Sequence, residues 1–104
     1  MIYVPTDNTA ASNTEAIANV TVPAKTPVIA GEEGICKGCG VATLSISYYD
    51  LGMTTGKMAA KLLTGEADIS TMPIEFTTAT PKYNASMCET LGITPLEGYT
   101  AIAE

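Results

Sequence analysis

Short apolar runs alternate with amphipathic stretches along this chain of 104 residues. Residues 2–4, 27–30 and 41–46 have the length and the branched apolar composition of buried strands. A fourth run, residues 72–76, also predicts a strand, and Pro73 near its start places that strand at a sheet edge. The pattern therefore predicts four strands with helical segments between them.

The first predicted helix follows the first strand and covers residues 9–20. Asp7 or Asn8 is the expected cap for its free N–H groups. Ser12 and Glu15 also fit a capping box, so the helix could begin one turn later. Its expected buried face comprises Ala10, Ile17 and Ala18.

A second helix is predicted over residues 51–64, with Asp50 as its cap and Gly65 after its end. A third, short helix begins after Asn84 and is stopped by Gly92. The apolar face of the second helix comprises Leu51, Met58, Ala59, Leu62 and Leu63.

This alternation of strands and helices predicts an α/β fold, with a mostly parallel sheet and flanking helices. Polar turns at residues 6–9, 31–34 and 47–50 follow the first three strands. Because ligands bind beyond the carboxyl ends of strands in such sheets, we expect these turns to share one rim. The glycine-rich residues 31–40 are expected to form a flexible loop, long for such a connection.

Composition excludes several classes of function. Five Lys and Arg against eleven Asp and Glu give a net charge of −6, which does not suit nucleic-acid binding. The chain has no histidine, so neither a histidine-based catalytic triad nor a catalytic zinc site is expected, and no metal or cofactor is predicted. No apolar run is long enough to cross a bilayer, and the first residues do not resemble a signal peptide.

The three cysteines leave alternatives open. Cys36 and Cys39 have the spacing of a redox dithiol, whereas Cys88 is distant in sequence. The pair is interpreted as a catalytic dithiol, as a local disulfide that braces the glycine-rich loop, or as unreactive loop thiols.

Six blocks in the chain carry a family resemblance. They are residues 3–9 (YVPTDNT), 27–34 (PVIAGEEG), 42–44 (ATL), 48–52 (YYDLG), 55–63 (TGKMAAKLL) and 72–76 (MPIEF). In this order they resemble the C-terminal third of the ABC-transporter substrate-binding proteins of the type I periplasmic-binding fold. The subfamily includes binders of tryptophan and other aromatic amino acids. One departure is Ser45-Ile46-Ser47, where relatives usually have Gly-Ile-Asp.

The resemblance implies a fragment of a two-lobed solute-binding protein of an ABC importer, folded here as one α/β unit. Residues 1–40 and 66–104 resemble the second lobe, and residues 41–65 resemble the first. The implied ligand is a small solute, an amino acid above all, held in a cleft between the lobes. An ABC permease is the implied partner, and the implied location is extracytoplasmic, in the periplasm or on a cell-surface lipoprotein. Exposed apolar faces in such a fragment predict either rearrangement or a homodimer.

The predicted ligand-binding residues are Thr6, Asp7, Asn8, Thr9, Glu32, Tyr48 and Tyr49. Asp7 or Glu32 would accept the ligand ammonium, the residues beside Asp7 would donate to its carboxylate, and a tyrosine would pack on its side chain. These residues also fit structural roles, as helix caps, solvated loop charges and hinge packing.

Two other classes of function are considered. A repressor effector domain has the same fold and would bind a sugar or a purine in the same crevice. A small thiol-redox protein would use Cys36 and Cys39. Other enzymes are not expected, because the sequence contains no phosphate-binding glycine motif.

Overall fold

The computed structural model describes residues 1–103, which divide into two compact units. The first unit contains Met1–Ser45 together with the chain from Thr80 onward. The second unit is Ile46–Ala79.

A five-stranded sheet forms the centre of the first unit. Its strands lie in the order of the sequence: β1 (Ile2–Val4), β2 (Val28–Ala30), β3 (Ala42–Ser45), β4 (Thr80–Tyr83) and β5 (Thr100–Ala101). Strands β1, β2 and β3 are parallel, β4 runs antiparallel to β3, and β5 is parallel to β4. The predicted α/β fold with a mostly parallel sheet is confirmed, and so are the first three strands.

The described residues also form five helices. The first unit contains α1 (Asn8–Ala11), α2 (Thr14–Thr21), α3 (Glu33–Cys39) and α5 (Ala85–Leu91), and the second contains α4 (Tyr48–Leu63).

The first predicted helix is broken in two at Ser12 and Asn13. The Ser12 hydroxyl donates to the Asn8 carbonyl at 2.9 Å, and the Asn13 amide donates to the Thr9 carbonyl at 2.8 Å. Such side chains compete with the backbone for helix hydrogen bonds, which accounts for the break. Asp7 caps α1 as predicted, by accepting from the Ala10 N–H at 2.8 Å. The capping box is wrong, because α2 begins after Asn13 without a side-chain cap.

The glycine-rich segment is not a flexible loop, because most of it forms helix α3. The Glu32 carboxylate accepts from the N–H groups of Gly34, at 2.8 Å, and of Ile35. This double cap compensates for glycines that disfavour a helix. The helix also buries Ile35, Cys36 and Cys39 completely, which sequence periodicity did not reveal in so short a segment.

The core of the first unit lies between the sheet and the helices. Val4, Val28 and Ala30 from the sheet meet the buried face of α3 there. Ala10, Ile17 and Ala18 pack against this cluster, which confirms the predicted apolar face of the first helical region. Helices α2 and α3 approach so closely that a Cβ on Gly38 would lie 2.2 Å from the Thr14 hydroxyl oxygen.

Helix α4 of the second unit begins at Tyr48 rather than at Leu51. Its cap is Ser47, not Asp50, since the Ser47 hydroxyl accepts from the Asp50 N–H at 3.1 Å. Gly65 follows the helix with φ +78°, as predicted. On the predicted apolar face Leu51, Met58 and Leu62 are half-buried, whereas Ala59 and Leu63 are exposed.

The strand predicted over residues 72–76 is wrong. These residues are irregular, and Ile74 and Phe76 are almost fully exposed. A strand needs a neighbour to pair with, and Pro73 also removes one N–H donor. The fourth strand is instead β4, in which Pro81 lies opposite Leu44 of β3.

Asn84 caps α5 as predicted and also ties it to α3. Its Oδ1 accepts from the Met87 N–H at 3.1 Å, while its Nδ2 donates to the carbonyls of Cys36, at 3.1 Å, and Lys37, at 2.9 Å. Gly92 ends the helix in the left-handed conformation, with φ +68°. One buried amide therefore satisfies the start of one helix and the end of another.

Replacing Asn84 with Ala should lower the free energy of unfolding by about 2–4 kcal/mol, since a cap is lost and buried carbonyls lose their donor. Urea denaturation followed by circular dichroism measures the change. The matched control is Asn19→Ala, an exposed position on α2 that should shift stability far less. Equal effects of the two substitutions would contradict the bridging role.

Candidate functional site

The turns after β1 and β2 meet at the carboxyl edge of the sheet. The Thr6 hydroxyl donates to the Gly31 carbonyl at 3.1 Å. A Cβ on Gly31 would lie 2.6 Å from the Thr6 nitrogen, so a glycine is needed for this close approach. The structure thus brings together two of the three predicted turns.

Four predicted site residues lie on the first of these turns. Thr6, Asp7, Asn8 and Thr9 are all exposed. Asp7 uses one carboxylate oxygen as the α1 cap, which leaves the other oxygen at the surface. The arrangement presents hydroxyl and amide donors next to a carboxylate, which suits a ligand that carries both an ammonium and a carboxylate.

Glu32 lies on the second turn and is half-buried. Both of its carboxylate oxygens accept N–H groups of the first turn of α3. The capping interpretation of Glu32 therefore has direct structural support. A ligand ammonium at Glu32 would have to share a carboxylate that already accepts two backbone hydrogen bonds.

Three further polar residues at this edge were not predicted. Lys82 Nζ lies 2.6 Å from Glu33 Oε2, and the Glu33 N–H donates to the Ser45 hydroxyl at 3.2 Å. The sequence pattern did not indicate this contact, because Lys82 is placed beside Glu33 by strand β4, which was not predicted. A hydrogen bond and the ion pair thus connect the start of α3, which follows β2, with strands β3 and β4.

Tyr48 and Tyr49 lie in the second unit. They occupy the first turn of α4, where both rings are largely exposed. The predicted third polar turn, residues 47–50, is thus the beginning of a helix rather than a loop.

The three cysteines are free and buried, so the structure does not contain a Cys36–Cys39 disulfide, one of the three alternatives left open by the sequence. Burial, together with the nearby Cys88 and Cys39 thiols and two glutamates, raises the pKa of Cys36 to about 12. Burial also raises the pKa of Cys39 and of Cys88. A reactive thiolate needs the opposite environment, so the structure favours unreactive thiols.

Two negative findings apply to residues 1–103. No cluster of three or more His, Cys, Asp or Glu side chains there has the arrangement of a metal site. None of the described helices combines the length and the apolar character that a bilayer span requires.

Comparison with known proteins identifies the class. A family profile described as ABC transporter substrate binding protein matches residues 1–104. The chain belongs to this family, whose members bind solutes rather than catalyse reactions. A tyrosine-binding protein of Clostridioides difficile (strain R20291) is 36% identical over 67 residues, which is 64% of this chain and 19% of that protein.

Two solved structures are similar in fold and sequence. One is the ligand-free, open structure of a substrate-binding protein with adhesive properties from Clostridium difficile, with a TM-score of 0.75 and 32% identity over 97% of this chain. The other is an ABC domain in complex with L-Trp from Streptococcus pneumonia, with a TM-score of 0.79 and 30% identity over 96% of this chain. The chain spans 35% and 36% of these two structures. These relatives lend no support to the repressor or thiol-redox alternatives.

At pH 8 the native thiols should react with iodoacetamide at least about a hundredfold more slowly than those of the urea-unfolded chain, since burial keeps them protonated. The Cys36 pKa is raised, so the protonated form persists from pH 7 to 9, where an ordinary thiol begins to ionise. Mass spectrometry of quenched samples measures the rates. Equally fast labelling of native and unfolded chains would restore the redox interpretation.

Proposed function

We propose that this chain is the amino-acid-recognising part of the solute-binding component of an ABC importer. The observation that carries the proposal is the contact between Thr6 and Gly31, which joins two polar turns at one edge of the sheet. A tyrosine-binding relative and a relative in complex with L-Trp support an aromatic amino acid as the solute.

The proposed contacts follow the charges of a zwitterion. Asp7 accepts a hydrogen bond from the ammonium through its free carboxylate oxygen, and Glu32 is the second candidate for this role. Thr6, Asn8 and Thr9 donate to the ligand carboxylate from exposed positions. Charge-assisted hydrogen bonds of this kind are stronger and more directional than neutral ones.

The aromatic residues complete the proposed contacts. Exposed tyrosine rings suit an apolar ligand side chain, because they bury a large area at a small entropic cost. We propose that Tyr48 and Tyr49 have this role and that the solute binds in a cleft between two lobes.

The cellular setting follows from the family. Substrate-binding proteins of this family bind small solutes and work with ABC transporters. An ABC permease is therefore the proposed partner, and the proposed location is extracytoplasmic, in the periplasm or on a lipoprotein. Import requires that a binding protein capture its solute on that side of the membrane.

We also propose that the chain forms a homodimer through apolar side chains that stay exposed on the second face of its sheet. Parallel strands are normally covered on both faces. Here the helices cover the face of Val4 and Val28, whereas Tyr3 is 65% exposed and Leu44 is 62% exposed on strands of the same sheet. A second copy would remove these apolar side chains from water.

Replacing Asp7 with Asn should weaken L-tyrosine binding about tenfold, since the ammonium loses a charged acceptor while the helix keeps a capping side chain. Isothermal titration calorimetry with L-tyrosine and L-tryptophan measures the effect. Glu89→Gln is the control, because Glu89 is exposed on α5 and is not one of the proposed contacts. Unchanged affinity would remove Asp7 from the site.

Sedimentation at high protein concentration should show a dimer that Leu44→Lys converts to monomer, because a charge placed in an apolar interface is costly. Leu63→Lys is the control, since Leu63 is exposed on α4 and outside the sheet. A strictly monomeric wild-type chain would exclude the homodimer.

A further inference from the structure

The ion pair between Glu33 and Lys82 is only partly buried. Lys82 Nζ and Glu33 Oε2 lie 2.6 Å apart, while the two side chains remain 30% and 39% exposed. Ion pairs with this degree of exposure contribute little to stability, because water screens them. The pair can therefore exchange partners without a large penalty to the fold.

Hydrogen bonds hold the backbone around Glu33 in place. The Glu33 N–H donates to the Ser45 hydroxyl, and Gly31, two residues before Glu33, accepts from the Thr6 hydroxyl. On the other side, Lys82 is paired with Thr43 in the register of β3 and β4. Both charges thus project from ordered elements, and Glu33 directly follows Glu32, one of the proposed amino-acid contacts.

The carboxylates at this edge differ in what binds them. Asp7 and Glu32 accept backbone N–H groups that a helix start needs, so displacing them would destabilise that helix. Glu33 instead contacts a flexible lysine ammonium. Of these carboxylates, Glu33 is the one whose partner a second ammonium could replace directly.

We propose that the Glu33–Lys82 pair is a receptor for the zwitterion of an α-amino acid, an inference that rests on the proposed function. On binding, the ligand ammonium contacts Glu33 in addition to Asp7, and the ligand carboxylate contacts Lys82. One internal ion pair is replaced by two pairs to the ligand, and no charge is left alone. A solute that lacks either charge would leave Glu33 or Lys82 unpaired, so the pair selects for free amino acids.

Calorimetry with three ligands tests the proposal on this chain: L-tyrosine, L-tyrosinamide and N-acetyl-L-tyrosine. Lys82→Met should weaken L-tyrosine binding at least about tenfold but not weaken L-tyrosinamide, which has no carboxylate and no longer competes with Lys82 for Glu33. Glu33→Gln should likewise weaken L-tyrosine but not N-acetyl-L-tyrosine, which has no ammonium.

The controls remove the same charges elsewhere. Lys37→Met acts at the other end of α3, where the ammonium donates to the Ala103 carbonyl at 3.1 Å, and Glu15→Gln acts on exposed α2. Both should leave all three affinities unchanged. Thermal unfolding of each variant verifies that the fold is retained.

Two results would overturn the proposal, and only the second would also overturn the proposed function. If Lys82→Met weakens all three ligands equally, the pair has only a structural role, while the proposed function still stands. If the wild-type chain binds none of the three ligands, the proposed function fails and the zwitterion receptor fails with it.

Discussion

The burial of α3 against the sheet is the interaction on which the rest of the first unit depends. Seven residues that include two glycines do not form a stable helix alone in water. The helix persists because Ile35, Cys36 and Cys39 are removed from water and because Glu32 satisfies its first N–H groups. Tertiary burial thus stabilises a segment whose intrinsic propensity opposes it.

Both ends of α3 then organise other parts of the molecule. At its start, the Gly31 turn is held against Thr6, and Glu33 is placed where Lys82 can reach it. At its end, the carbonyls of Cys36 and Lys37 bind the Asn84 amide, which positions α5. The candidate site and the docking of the last helix are therefore two consequences of one buried helix.

Residues of the candidate site also have structural roles, as helix caps. Asp7 caps α1 and still presents an oxygen to solvent, whereas both oxygens of Glu32 are engaged by the backbone. Such caps hold the polar turns in place before a ligand arrives, which reduces the ordering cost of binding. Membership in a family of solute-binding proteins agrees with a site that is preorganised for binding rather than for chemistry.

The sequence by itself determined the features that local chemistry controls. The first three strands, the caps Asp7 and Asn84, the glycines that follow two helices and the family resemblance depend on residue types and short spacings. Only the tertiary structure decided that residues 33–39 form a helix, that β4 lies at residues 80–83 and that Glu33 meets Lys82. The physical reason is that a glycine-rich helix and a proline-containing strand gain their stability from partners distant in the chain, and no local pattern records those partners.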